Sequence, residues 1–306
     1  MSNIKIIVIF SIILTFGFGQ TSIAQERHPA ITDPSGYDPK FPPAMEELSF
    51  TSGGHKINGH IYMAAGIGPH PTIIMLHGFA GNEKNLDIAQ ALRRAGYNSV
   101  FFHYRGAWGS GGEFMIPNSV DDVGNIISYL KDPEWASKRR VNTFKIGLFG
   151  HSFGGLIGIL ATAKNEEVAC YIHKAGWNAG LRAESNKNPE YRDGVIKGVS
   201  KDIRQVGGPL FGDPEAYVDD LIANSYNYNI LNKVEAIKTR RLLVIGGLKD
   251  MVLPIDNHHR PFIKALKDAG ATNLTELIFD DDHAFSRNRV RLAIEVIDWL
   301  DTSCWQ

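Results

Sequence analysis

Residues 145–164 read KIGLFGHSFGGLIGILATAK and contain the spacing Gly-x-Ser-x-Gly, centred on Ser152. An apolar run typical of a buried strand, residues 145–149, leads into this spacing, and a helical pattern of small residues, 153–164, follows it. A serine on such a strand–turn–helix unit has strained backbone angles and an exposed hydroxyl, and the flanking glycines leave room for neighbouring elements. The segment therefore predicts Ser152 as a nucleophile at the end of a buried strand.

Short apolar runs alternate with helical patterns over most of the chain. Most runs are continuous, as expected of parallel strands covered on both faces. Alternation of strand and helix predicts an α/β fold with a mostly parallel central sheet and helices on both faces. The predicted strands are 48–51, 57–63, 71–76, 99–102, 145–149, 168–172, 242–245 and 274–279, and the predicted helices are 82–95, 120–131, 153–164, 261–269 and 287–300.

The sequence predicts three parts of the chain: a signal peptide, a leader and a folded domain. Residues 1–24 are typical of a secretory signal peptide cut after Ala24, so we expect a secreted or periplasmic protein with no stable membrane anchor after cleavage. Residues 25–44 are rich in proline and predict a leader that lies on the surface or is disordered. Residues 45–306 form the predicted domain. Its long polar stretch at about 179–240 is interpreted as a helical cap insertion, because a structureless loop of that length is improbable in a compact domain.

Composition and charge narrow the function classes. The 306 residues are 43% hydrophobic and 21% charged, as in globular proteins. The net charge of −1 gives no electrostatic reason to bind nucleic acid. The two cysteines, Cys170 and Cys304, exclude a disulfide scaffold and a zinc site made only of cysteine. Whether they pair is left open, and two separate thiols are the simpler interpretation. The oligomeric state is also left open.

Two downstream residues complete the pattern of a catalytic triad with Ser152. A serine hydroxyl needs a base to take its proton, and the base needs an acid to orient it. His283 lies in a loop before the last predicted helix, and Asp250 follows the predicted strand at 242–245. Asp250 thus stands at the edge where an open α/β sheet places its ligand site. The order serine, aspartate, histidine is one of the recurring triad orders.

Other polar residues near this pattern have simpler interpretations. The three aspartates at 280–282 are rival acids that we interpret as a solvated turn, and His151 is expected to serve in packing. His258 and His259 resemble half of a metal site, but no further ligand falls at helical spacing beside them. We therefore interpret them as surface histidines at a helix start and predict no metal site.

Backbone donors for a developing oxyanion are expected from two loops. One is the N–H of Phe153, directly after the serine. The other is the N–H of Phe79, in the loop His77-Gly78-Phe79-Ala80-Gly81 after the first buried strand. Three aromatic residues are candidates for substrate binding: Trp177, Trp108 and Tyr226. For the two tryptophans, core packing is an equal alternative, and for Tyr226 the alternative is a polar helix face.

These motifs make the chain resemble the α/β-hydrolase superfamily from about residue 57 to the C-terminus. The resemblance rests on His77-Gly78-Phe79, on the segment 150–154, on the segment 246–254 and on Asp282-His283. The branch it looks most like holds dienelactone-hydrolase-like esterases, which usually carry a cysteine nucleophile, and the catalytic domains of prolyl-oligopeptidase-type peptidases. Many relatives have an Asp-x-Arg-Gly segment after the second buried strand, where this chain has His103 in place of the aspartate.

The triad pattern and the resemblance together imply an exported serine hydrolase that cleaves small-molecule carboxylic esters through an acyl-enzyme, without a cofactor. The alternative is a prolyl-oligopeptidase-like peptidase or an acyltransferase with the same machinery. A further alternative is a non-catalytic binding protein on the same fold.

Overall fold

The computed structural model of this protein describes residues 28–182 and 188–306. The predicted signal peptide at 1–24 lies outside the described residues. Ten strands, β1 to β10, occur in this part of the chain: Ala44–Ser52, His55–Met63, His70–Leu76, Asn98–Phe102, Val141–His151, Cys170–Lys174, Ile203–Arg204, Leu210–Phe211, Arg241–Gly247 and Leu274–Phe279.

Eight of these strands form one central sheet in the order β1-β2-β4-β3-β5-β6-β9-β10. The first two junctions are antiparallel, and every junction from β4 to β10 is parallel. The β1–β2 hairpin turns at Gly53 and Gly54, both with positive φ, as a two-residue turn between twisted strands requires. The carboxyl ends of β3, β5, β6, β9 and β10 therefore meet at one edge, where ligand sites of such sheets lie.

Nine α-helices, α1 to α9, accompany the sheet in the described residues, and they cover both of its faces. The buried apolar residues form two cores: α1 (Leu86–Arg94) and α9 (Arg289–Trp299) pack on one, whereas α2 (Ile116–Leu130), α4 (Phe153–Lys164) and α8 (His259–Asp268) pack on the other. No helix among these residues is of a length and hydropathy suited to crossing a membrane. Their bounds are Leu86–Arg94, Ile116–Leu130, Pro133–Lys138, Phe153–Lys164, Pro189–Val199, Pro214–Ala223, Val234–Ile237, His259–Asp268 and Arg289–Trp299.

The α/β class and the mostly parallel sheet are confirmed. Helix α4 has the predicted bounds, because the apolar pattern and the serine turn both mark its start. Helix α2 begins at Ile116, four residues before its predicted start at 120. Its first turn holds Pro117, whose fixed φ and missing N–H suit that position. The prediction placed the caps one turn too late.

The predicted insertion, 179–240, contains helices α5, α6 and α7 and the two-residue pair β7–β8. Helix α6 buries Tyr217, Val218 and Leu221 in the core on which α2, α4 and α8 pack, whereas α5 has no fully buried residue. Residues 28–43 contain no helix or strand.

Arg105, in the segment after β4, pairs with a carboxylate of another element, because His103 stands where many relatives have an aspartate. Arg105 Nε donates to Asp122 Oδ1 of α2 at 2.6 Å, and the Arg105 backbone N–H donates to Asp122 Oδ2 at 2.7 Å. The hydroxyl of Ser52 donates to the same carboxylate. This buried pair ties the end of β1 and the loop after β4 to α2.

The two cysteines are joined, which corrects the interpretation as separate thiols. Cys170 opens β6 in the centre of the sheet, and Cys304 lies in the last helical turn, yet they form a disulfide with their Cα atoms 5.4 Å apart. Helix α9 packs on the face of the sheet where Cys170 lies, and this packing brings the two together. A separation of 134 residues gave no sign of such contact in the sequence.

Replacing Cys304 by serine is expected to lower the free energy of unfolding by about 2–5 kcal/mol, because the bond closes a long loop in the unfolded chain. Urea unfolding with and without a thiol reductant measures this. The wild type should lose the same amount on reduction, whereas the Cys304→Ser variant should be insensitive to the reductant. Equal midpoints for oxidised and reduced wild type would contradict the expectation.

Candidate active site

Ser152 stands at a sharp turn between β5 and α4. Its φ of 57° and ψ of −115° are strained for a residue with a side chain. The turn is tight: a Cβ on Gly150 would lie 2.3 Å from the carbonyl oxygen of Gly154, and one on Gly154 would lie 2.1 Å from that of Leu76. The glycines of the motif are therefore required by close backbone packing, and the serine is displayed at the carboxyl edge of the sheet.

His283 and Asp250 are joined by a hydrogen bond of 2.6 Å between His283 Nδ1 and Asp250 Oδ2. The other carboxylate oxygen accepts the backbone N–H groups of Val252 and Leu253, at 2.9 and 2.7 Å. Because an ionised carboxylate only accepts hydrogen bonds, Nδ1 carries the proton and Nε2 is left as an acceptor. This is the tautomer that a general base needs.

The rival acids have other partners. Asp280 pairs with Lys249 at 2.7 Å. Asp281 is buried and accepts from Asn288 Nδ2 at 2.7 Å, which does not fit the predicted solvated turn. Asp282 accepts from the N–H of Ser286. These two carboxylates shape the loop of His283 by capping the backbone that follows it.

His151 is buried in the core, with its ring centroid 4.8 Å from that of His283. His151 therefore packs against His283 and brings the turn of Ser152 and the His283 loop into contact. Burial lowers the pKa of His151 well below its usual value, so this ring is neutral at neutral pH.

Two backbone donors flank the serine. Phe153 opens α4, and the N–H groups of a first helical turn have no partner within their helix. Phe79 follows Gly78, where a Cβ would lie 3.2 Å from the Cβ of Ser152. Among the hydrogen bonds of the described residues, none uses the N–H of Phe79 or of Phe153. Both donors are free to bind an oxyanion.

A cavity of about 270 Å³ opens beside Ser152. Phe79 and Phe153 line it together with Trp177, whose backbone N–H donates to the carbonyl oxygen of Ser152 at 2.9 Å. The cap helices α5 and α6 supply the opposite wall, which sequence reasoning did not identify because nothing in their polar pattern marks the wall residues. The remaining lining residues are Val195, Val199, Tyr217, Leu221, Val252 and Leu253.

A second, more polar cavity of about 680 Å³ adjoins the first, and the two share five lining residues. It lies between the Asp250 loop and the start of α8, where Asn257 and His258 line it. The shared wall is made of Trp177, Val195, Leu221, Val252 and Leu253.

The structure places the other two aromatic candidates away from the apolar cavity. Trp108 packs on the ring of His103, and its indole N–H donates to the carbonyl oxygen of Ala80 at 2.6 Å. It supports the Phe79 loop from behind. Tyr226 is 74% exposed and lies in the turn after α6. From the sequence, an aromatic residue in the wall of a pocket could not be distinguished from one that supports a loop, as Trp108 does, or from one on the surface, as Tyr226 is.

The predicted surface position is wrong for His259, which is buried at the start of α8 with Nε2 3.1 Å from Glu276 Oε1. His258 Nδ1 accepts the N–H of Asn178. No group of three or more metal-ligating side chains occurs in the portion of the chain that the structure describes.

Two family models match this chain. The model "X-Pro dipeptidyl-peptidase (S15 family)" matches residues 24–188, and "BAAT / Acyl-CoA thioester hydrolase C terminal" matches residues 127–283. Together they cover the serine turn, Asp250 and His283.

Curated relatives match over shorter stretches. An uncharacterized 31.7 kDa protein of Escherichia coli is 32% identical over 117 residues, which are 36% of this chain. The match spans only 39% of the length of that relative. The quorum-quenching protein AidA of Acinetobacter baumannii (strain MDR-ZJ06) is 26% identical over 64% of this chain and 70% of its own length.

Solved structures share the fold. The 2,6-dihydroxy-pseudo-oxynicotine hydrolase superposes with a TM-score of 0.63 at 18% identity, over 86% of this chain and 69% of its own. An esterase of Pyrococcus furiosus gives 0.61 at 20% identity, over 88% and 95%. The acylaminoacyl peptidase of Pyrococcus horikoshii gives 0.62 at 19% identity, over 86% and 42%. At these identities the likeness shows the architecture alone.

Proposed function

This chain belongs to the α/β-hydrolase superfamily of serine hydrolases, which includes both matched families, and we propose that it is an exported enzyme that cleaves carboxylic esters. The observation that carries the proposal is the apolar cavity beside Ser152. A strained serine, a histidine–aspartate pair and two unpaired backbone donors meet at one edge of the sheet.

In the proposed reaction, Ser152 Oγ attacks the acyl carbon of an ester bound in the apolar cavity. His283 Nε2 takes the hydroxyl proton, and the Asp250 carboxylate stabilises the imidazolium through its bond to Nδ1. The N–H groups of Phe79 and Phe153 donate to the oxyanion of the tetrahedral intermediate. His283 then gives its proton to the leaving alcohol, and the acyl group stays on the serine.

Water completes the cycle by the same route. His283 removes a proton from the attacking water, a second tetrahedral intermediate uses the same two donors, and Ser152 leaves with the proton returned by His283. The resulting acid leaves the cavity. Every proton moves among Ser152, His283, the ester and the attacking water, and His283 carries each of them.

The lining of the cavity favours esters over peptides with a free amino terminus. A peptidase that removes terminal dipeptides needs a carboxylate to hold the substrate amine, because a buried ammonium without a partner is costly. None of the described residues lining the apolar cavity is charged. In the adjoining cavity Asp256 is ion-paired with Arg260. The peptidase and the acyltransferase remain the alternatives.

Export is proposed from two features. Residues 1–24 have the pattern of a secretory signal. The Cys170–Cys304 disulfide fits an oxidising compartment, where such bonds persist. The location we propose is therefore extracellular or periplasmic.

A fluorophosphonate probe tests the activated serine, and a substrate panel tests the bond. We expect the probe to label wild type on Ser152, as located by peptide mass spectrometry, and to leave Ser152→Ala unlabelled. In the panel, acyl esters and lactones should turn over at least tenfold faster than acyl-CoA thioesters or X-Pro peptides, taken as kcat/KM. Faster cleavage of the peptides or thioesters would replace the ester proposal, and an unlabelled, correctly folded wild type would remove the serine-hydrolase proposal.

A further inference from the structure

Lys174 is a fully buried lysine in contact with the turn of Ser152, and the proposed chemistry does not use it. It is the last residue of β6, between the strand that carries Ser152 and the strand that leads to Asp250. The sequence places it at the end of an apolar run, where a charged residue breaks the pattern of a covered strand. Such violations of a local rule are expected at functional positions.

The backbone and the side chain of Lys174 reach two different parts of the site. Its carbonyl oxygen accepts the N–H of Ser152 at 3.2 Å. Its Nζ donates to Asn85 Oδ1 at 2.9 Å and to the carbonyl oxygen of Ala284 at 3.5 Å. The same Nζ lies 4.9 Å from the ring centroid of Phe285. Lys174 therefore contacts the serine turn and the loop directly after His283.

Asn85 connects this contact to a third loop. It has left-handed angles, φ 54° and ψ 35°, and ends the loop that begins after β3 with the proposed oxyanion donor Phe79. A left-handed residue with a side chain persists when its surroundings hold it. The Nζ of Lys174 and the guanidinium of Arg289 both donate to Asn85 Oδ1, and Arg289 also donates to Ala284 O at 2.7 Å.

The charged groups around Lys174 do not neutralise it directly. No carboxylate of the described residues lies within 4.0 Å of its Nζ. The guanidinium of Arg289 and the neutral ring of His151 both face Lys174, and neither offers a negative charge. Arg289 is itself ion-paired with Asp87. Glu83, Asp87 and Asp282 are the carboxylates near enough to favour its charge.

A buried lysine without a close counter-ion is costly for stability. Burial lowers the pKa of Lys174 to about 7, and the charge of Arg289 acts in the same direction. An apolar side chain of similar length would fill the same space without this cost. What the lysine adds to the structure is a second donor, beside Arg289, to Asn85 Oδ1 and to the carbonyl oxygen of Ala284.

We infer that Lys174 is a positioning residue, which holds the loop of His283 and the loop of Phe79 in register with Ser152. The inference rests on the proposed function for its catalytic consequence. Misplacing a catalytic group by about 1 Å costs on the order of 100-fold in rate. Removing the shared donor should therefore lower kcat while leaving substrate binding in the apolar cavity unchanged.

The test compares Lys174→Met, Lys174→Gln and, as a matched control in the same strand, the buried Ile172→Met. We expect Lys174→Met to lower kcat by about 10- to 100-fold with KM within about twofold, and with Tm unchanged or raised. Lys174→Gln, whose amide can donate to an oxygen without carrying charge, should recover kcat to within about fivefold of wild type. Ile172→Met should keep the kcat of wild type.

Hydrogen–deuterium exchange of residues 280–288 gives a readout that needs no substrate. Exchange there should accelerate in Lys174→Met and not in Ile172→Met. Unchanged exchange and unchanged kcat in Lys174→Met would overturn the inference, and so would a loss of kcat with an equal loss of stability and no recovery in Lys174→Gln. If wild type cleaves no ester, the proposed function fails, and the exchange comparison still decides whether Lys174 holds the loop.

Discussion

Replacing His283 by alanine is expected to lower kcat for ester hydrolysis by about 10⁵- to 10⁶-fold. In the proposed cycle the imidazole takes the serine proton and gives it to the leaving alcohol, so both halves of that cycle would stop without it. Its side chain is about one-sixth exposed and its main partner is Asp250, so its loss should change Tm by only a few degrees. Steady-state kinetics on the best ester of the panel, with thermal unfolding of the same samples, measures both quantities.

Double variants show whether the residues act as one unit. We expect Ser152→Ala and His283→Ala to be equally inactive alone and in combination, because either loss removes the whole proton transfer. Asp250→Asn should fall by about 10⁴-fold, since the amide can favour the wrong tautomer of His283. Additive losses in the double variant, or a His283→Ala variant within about tenfold of wild type, would show that another residue is the base.

The alternation of strands and helices could be predicted from the sequence because the sheet is covered on both faces. Continuous apolar runs such as β3 and β9 mark that environment directly. Element ends were less certain, as α2 shows, because caps and prolines compete for the same few positions. The disulfide could not be foreseen, since the contact between Cys170 and Cys304 depends on how α9 packs across the sheet.

The three triad candidates could be predicted from the sequence, because their residue types and their order along the chain are those of a known catalytic triad. The structure brings His283 and Asp250 together and gives Ser152 its strained turn. The residues of the cavity wall could not be predicted in this way. Trp108 and Trp177 are the same residue type, and only the folded path of the chain places Trp177 at the cavity. Lys174 could have been singled out from the sequence, because it is a charged residue at the end of an apolar run.

Acid should destabilise this protein between pH 6.5 and 4, because it buries neutral histidines. His77, His151 and His173 are all almost fully buried. Burial lowers the pKa of His77 to about 4 and that of His173 to about 3, and it lowers the pKa of His151 well below its usual value. The unfolded chain binds protons at these rings below pH 6.5, whereas the folded chain binds them at His77 and His173 only near pH 3–4. Stability therefore falls as the pH drops through this window.

The expected loss is a large fraction of the stability of a typical protein. At pH 5 the neutral rings of His77 and His173 each cost about 2 kcal/mol, against a typical total stability of about 5–15 kcal/mol. Urea unfolding at pH 7, 6 and 5 measures the slope. His173→Leu should reduce the loss between pH 7 and 5 by about 2 kcal/mol. His55→Gln, a change at an exposed histidine, should keep the wild-type slope. Equal urea midpoints at pH 7 and 5 in wild type would mean that these rings accept protons within the fold, which their burial argues against.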